Sequence, residues 1–240
     1  MGSHRDFIDV YLKEMHSVTD PKSKFYGKEG EKQMISVVAD LFFAGTDTTS
    51  TTLAWAILYL ATNPVVQEKL QTEISSITAD SRDVSVAHRS SMPYVQATIE
   101  EIFRMSSILP NGVQHQVLTD VNYQGMKLPK GTMVSANAFY IHYDPALWEE
   151  PTKFKPERFL VDNGKVFKKS EYVIPFSIGK RHCIGESLAR DTIFLFLTNI
   201  VQQFFVECDP SNPNPSLQPG IGFTLNPQEY SVIFKTRGKL

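Results

Sequence analysis

From Glu31 to Thr62 the chain contains no proline, and apolar residues recur through it at helical spacing. At about 1.5 Å per residue such a helix would reach roughly 50 Å, long enough to cross a whole domain. The same segment raises the question of a membrane span. Its two longest apolar runs, Ile35 to Ala44 and Leu53 to Ala61, are short, Asp40 interrupts the first, and a polar cluster separates them. Neither approaches the roughly 20 apolar residues that a span requires. The opening residues do not read as a signal peptide.

The remaining elements are shorter. Asp6 to Met15 has a helical pattern, with Phe7, Ile8, Val10, Tyr11 and Met15 as its apolar positions, and a Pro/Gly/Lys-rich turn covers Asp20 to Gly30. Asn63-Pro64 predicts a restart, with asparagine as cap and proline at the first helical position. Met92-Pro93 does the same for a helix to about Met105. Between Gln114 and Ser135, Val, Thr and Tyr alternate with turn signals at Tyr123-Gln-Gly125 and Pro129-Lys-Gly131, which predicts short strands and hairpins. Asp144 to Phe167 is proline-rich and irregular. Gly185 to Gln203 carries Ile193-Phe-Leu-Phe-Leu197, and a helix apolar on nearly all sides is expected to be buried. The tail from Gly220 to Thr236 reads as a final hairpin. No internal repeat occurs.

Composition narrows the function classes. With 42% hydrophobic and 21% charged residues in 240, the chain is neither disordered nor fibrous. A net charge of −2 gives no electrostatic footprint for nucleic acid. Two cysteines, Cys183 and Cys208, supply neither a disulfide framework nor a four-cysteine metal site.

The densest information lies in Phe176-Ser-Ile-Gly179-Lys-Arg181-His-Cys183-Ile-Gly185. A cysteine stands in a glycine-flanked loop just before an apolar helix. The glycines allow tight turns and close backbone approach, and the positive end of the helix favours an anionic thiolate. Nothing comparable surrounds Cys208, which reads as a small buried hydrophobe. Halfway along the long helix, Ala44-Gly45-Thr46-Asp47-Thr48-Thr49 combines a thinned wall, threonines able to bond back to the preceding turn, and an acid followed by an alcohol, a pair able to relay protons. Glu101-Ile-Phe-Arg104 is an acid–base pair on one helix face, and Pro156-Glu157-Arg158-Phe159 adds a second arginine.

These segments, in this order, resemble the haem-thiolate monooxygenases of the cytochrome P450 family, animal microsomal type. The resemblance runs from about Asp6 to Phe234 and implies a mainly α (α+β) fold, residues 1–240 forming the carboxy-terminal part of the haem-binding domain. It implies that the membrane anchor, the earlier helices and a Trp-x-x-x-Arg segment lie outside this sequence. Cys183 would be the thiolate ligand of haem b, within a cofactor site that includes Phe176, Gly179, Gly185 and Ala44. Arg181 and His115 would bond the haem propionates. Asp47 and Thr48 would deliver protons, Glu101, Arg104 and Arg158 would form a buried structural network, and Leu109, Gly112, Val113, Gly222 and Phe223 would contact an apolar small-molecule substrate. Phe43 stands where many members carry a smaller residue, which would narrow the pocket. Electrons would come from NADPH through NADPH–cytochrome P450 reductase, with cytochrome b5 as a second donor, at the cytosolic face of the endoplasmic reticulum membrane. Lys168, Lys169 and Lys180 would help dock the reductase.

Two other readings stay open. A haem-thiolate isomerase or dehydratase would not need proton relay, so the Asp47-Thr48 pair argues against it. A truncated, non-catalytic fragment would fail to hold haem. On that reading the helices through Ile193–Leu197 and Leu53–Leu60 are apolar on too many faces for the partners this sequence supplies.

Overall fold

The computed structural model describes residues 5–78 and 84–237. They fall into two compact units, Met1–Asp47 and Thr48–Leu240. In the first, α1 spans Phe7–Ser17, and its N-cap Asp6 accepts the Asp9 N–H at 3.0 Å. Tyr11 packs on Phe25, ring centroids 5.0 Å apart, in the turn that follows. The long helix α2 runs over Gly27–Thr62, starting four residues ahead of the proline-free run, and the unit boundary falls within it.

The second unit is built on helix packing. From α2 it takes Trp55, Ala56, Leu58, Tyr59 and Leu60, all buried. The segment Leu53–Leu60 therefore finds its partners within this chain, against the expectation that it lacks them. Next, α3 spans Pro64–Thr78 and α4 Pro93–Ser106. Proline opens both helices as expected, but Asn63 does not cap α3. Its amide nitrogen donates backward to Tyr59 O at 2.8 Å, closing the end of α2, while its carbonyl accepts the Val66 N–H. From Tyr94 on, α4 is buried at every position except Gln96. Its first turn is capped from another helix: the Glu73 carboxylate of α3 accepts the N–H groups of Tyr94 and Val95, both at 2.9 Å.

Small antiparallel pairs follow. Strands β1 (His115–Gln116), β2 (Val121–Tyr123), β3 (Met126–Leu128) and β4 (Met133–Val134) pair as β1–β4 and β2–β3. Helix α5 covers Ala138–Tyr143. The irregular stretch contains a further hairpin, β5 (Leu160–Val161) with β6 (Val166–Phe167), that the sequence pattern does not reveal. Helix α6 spans Glu186–Gln203. It buries one face, through Ile193, Phe194, Leu197 and Val201, and leaves Leu188 and Phe196 exposed, so the expectation of burial on nearly all sides is corrected. The tail is not a self-contained hairpin. Its strand β8 (Val232–Thr236) pairs with β7 (Phe204–Cys208), and residues 220–226 form a loop closed by Gly220 N–H on Asn226 O at 2.8 Å. Among the described residues no helix is long and apolar enough to cross a membrane.

Candidate functional site

Cys183 is exposed, between a short 3-10 turn at Gly179–Arg181 and the start of α6. Its N–H donates to Phe176 O at 2.9 Å and its carbonyl accepts from Glu186 N, tying the loop to the helix. Gly179 adopts φ +80°, a conformation that side chains disfavour, and open space lies where a Cβ would stand. Gly185 behaves otherwise. Its φ of −90° suits any residue, so no tight turn requires glycine there; a Cβ would meet Cys183 Sγ at 3.9 Å, and its absence keeps the space beside the sulfur clear. The apolar side chains flanking the loop, Ile178 and Ile184, are 73% and 89% exposed. Cys208 is half-buried in β7, where burial raises its thiol pKa.

Behind the loop lies a fully satisfied ionic core. Arg104 donates to both Glu101 oxygens at 2.7 and 2.9 Å, and to the carbonyls of His142 and Pro151 at 2.7 and 2.8 Å. Arg158 reaches Glu101 Oε1 at 3.1 Å, and the Lys155 N–H reaches the same oxygen at 2.9 Å. Glu101 and Arg104 are wholly excluded from solvent. Such charges are tolerable only because each polar atom is paired. The Trp148 ring covers Arg104 and Arg158, 5.3 and 5.9 Å from their guanidinium carbons.

His142 extends this core toward the cysteine loop. The Ile174 N–H donates to its Nε2 at 3.0 Å, which leaves the proton on Nδ1 to donate to Ser107 Oγ at 2.7 Å. The Ser107 hydroxyl donates in turn to Arg104 O. Burial and the nearby Arg104 charge push the His142 pKa down to about 4, so the ring is neutral. Nothing in the sequence marks this histidine, because its partners lie 35 and 32 residues away. Arg190 and its acid partners Glu186 and Glu100 are a second addition. The four-residue spacing of Glu186 and Arg190 is a readable signal; the approach of Glu100 is not.

The substrate candidates gather elsewhere. Leu225 N–H donates to Ile108 O at 2.8 Å, joining the segment with Leu109, Gly112 and Val113 to the loop with Gly222 and Phe223. Trp55 Nε1 donates to Leu225 O and Thr51 Oγ1 to Asn226 Oδ1, both at 2.7 Å, which fixes that loop against the second half of α2. At Gly222 a Cβ would stand 2.8 Å from Thr224 O, so the turn admits no side chain. Val113 and Phe223 are exposed. On α2 itself, Ala44 and Asp47 are exposed and Thr48 is half-buried. Thr46 Oγ1 donates to Phe42 O and Thr52 Oγ1 to Thr48 O, so threonines do bond back along this helix. Phe43 is exposed. Arg181, with an exposed side chain, and His115, on the exposed strand β1, make no side-chain hydrogen bond among the described residues. No hydrogen bond among the described residues joins the cysteine loop to residues 109–113 or 222–223.

Among the described residues no three His, Cys, Asp or Glu side chains cluster to hold an ion. A metal centre that brings its own ligands, as a porphyrin does, needs only one such donor from the chain. The exposed thiol, the two exposed isoleucines beside it and the exposed Arg181 fit a flat, apolar, carboxylate-bearing group.

Comparison with known proteins agrees. The Cytochrome P450 family model matches residues 1–234. The chain belongs to the cytochrome P450 family. Among similar curated proteins, human Cytochrome P450 2J2 is 47% identical over 229 residues, covering 95% of this chain and 44% of the relative. Rat Cytochrome P450 2J3 is 45% identical over 228 residues, with 95% and 44% covered. Human Cytochrome P450 2U1 is 38% identical over 233 residues, with 97% and 42% covered. The chain thus spans less than half the length of these cytochromes.

Proposed function

We propose that this chain is the haem-ligating portion of a monooxygenase that inserts one oxygen atom from dioxygen into an apolar organic substrate and reduces the other to water. The observation that carries the reading is the exposed Cys183 thiol on its Phe176-anchored loop at the start of α6, in a chain of this family. Cys183 would hold haem b through its thiolate, and the group would supply dioxygen binding and activation.

The chain's own residues do the rest. Arg181 and His115 would bond the propionates, and Gly179 and Gly185 would keep side chains away from the ring. Asp47 and Thr48 would hold and pass protons. Leu109, Gly112, Val113, Gly222 and Phe223 orient the substrate and exclude water. The stitching of 108–113 and 220–226 to α2 supports that assignment. Electrons come from NADPH through a flavoprotein reductase at the endoplasmic reticulum membrane, with cytochrome b5 as a second donor. Of the lysines assigned to docking, Lys169 bonds Glu186 at 3.3 Å and still keeps half its side chain in solvent.

The test is the carbon-monoxide difference spectrum of the haem-loaded chain. Cys208→Ser should retain the red-shifted thiolate band, and Cys183→Ser should abolish it. A band surviving in the Cys183 variant would refute the assignment.

A further inference from the structure

The cysteine loop is held mainly by its ends. Between Phe176 and Cys183 its hydrogen bonds are local, His182 N–H on Gly179 O at 3.2 Å and Ser177 N–H on Ile174 O at 3.1 Å, and Ser177 and Gly179 both take positive φ. One bond that holds Cys183 is its N–H on the carbonyl of Phe176, and a side chain from α6 packs on the Phe176 ring. The Arg190 guanidinium carbon lies 5.1 Å from the Phe176 ring centroid and 4.9 Å from that of Phe103 on α4. The two rings meet edge to face at 5.1 Å. Guanidinium and rings thus form a triangle whose corners belong to the loop, α4 and α6.

The charge in this triangle is retained at a cost. Arg190 Nη1 bonds Glu100 Oε2 at 2.9 Å and Nε bonds Glu186 Oε1 at 2.8 Å, yet Nη2 and Glu100 Oε1 are both buried without a hydrogen-bond partner. Apolar side chains in place of both Arg190 and Glu100 would fill the same volume without orphaned polar atoms. What they would lack is a flat cation held by two carboxylates, which prefers the faces of the rings.

We infer that Arg190, held by Glu100 and Glu186, is a positioning residue for Cys183: it locks the Phe176 ring and thereby the carbonyl that receives the Cys183 N–H. The inference rests on reading Cys183 as the axial ligand, but the geometry it concerns can be measured without haem.

The experiment is amide hydrogen exchange on the 240-residue chain, resolved at Cys183. In Arg190→Ala, exchange at Cys183 should quicken roughly tenfold, while Ile102 and Phe103 in α4 stay protected. Arg190→Lys, which keeps the charge but not the flat fork, should recover only part of the protection. Should Arg190→Ala fail to fold, Phe176→Leu decides: it keeps the carbonyl, removes the ring, and should quicken Cys183 in the same way. Once haem is added, Arg190→Ala should lower the share of bound haem that gives the thiolate band, and Arg190→Lys should restore part of it. Unchanged exchange at Cys183 in the folded variants would overturn the inference. Failure of the unsubstituted chain to take up haem would count against the proposed function and leave the exchange comparison standing.

Discussion

A neutral histidine wedged between an arginine and a loop has a thermodynamic signature. The folded-state pKa of His142 is pushed down to about 4 from an ordinary 6.5, so the unfolded chain binds the proton more readily. The stabilisation is therefore complete above pH 6.5 and is lost as pH falls toward 4, a change of roughly 3 kcal/mol over that window. Burial raises the pKa of Glu73 and of Glu100, and such acids contribute with the opposite sign. Only a difference measurement isolates the histidine. His142→Gln should be less stable than the parent at pH 7.5, and the two urea-unfolding free energies should converge by pH 4. Parallel curves would mean that folding leaves the proton affinity of His142 unchanged. Sequence reasoning could reach Cys183 and the Glu101–Arg104 pair because their rarity or spacing is informative in itself, and Arg158 through the family resemblance. It could not reach His142, whose role exists only once α5 lies against Ser107 and Ile174.

At the scale of elements, the helices were legible and their terminations less so. Proline placement marks the start of α3, and the sequence pattern defines α4 and α6 to within a residue or two. What caps α4 is invisible in one dimension, because Met92 offers no side-chain acceptor and Glu73 lies 21 residues upstream. The pairing of β8 with β7 was hidden for the same reason: local turn signals suggest a hairpin, while the actual partner is set by packing across more than twenty residues. The cap makes a direct prediction. Glu73→Ala removes the acceptor for two N–H groups at the mouth of a buried helix and should cost about 1–2 kcal/mol of unfolding free energy. Glu73→Gln, which keeps one carbonyl oxygen, should cost about half as much. Equal urea midpoints for all three proteins would show that solvent satisfies those N–H groups equally well.

For the molecule as a whole, the question is what its uncovered apolar surface does. The expectation that Leu53–Leu60 lacks partners fails, since Trp55, Ala56, Leu58, Tyr59 and Leu60 are buried in one core cluster with residues of α3, α4 and α6. The excess lies instead at Ile178, Ile184 and Leu188 around the cysteine loop, and at Val113, Leu118, Ile221 and Phe223 near the substrate candidates. Each large aliphatic side chain left in water forgoes about 1.5–3 kcal/mol of burial, and exposed groups of this kind drive association. The buried core around α4 can still fold cooperatively, so the expected state is a folded chain that self-associates. A flat apolar ligand at Cys183 would cover part of that surface and add stability by mass action. Sedimentation velocity should accordingly detect concentration-dependent association of the 240-residue chain, weakened both by added haem and by Ile184→Gln with Leu188→Gln. A protein that stays monomeric at every concentration, with or without haem, would mean that the exposed side chains are too dispersed to act as one surface.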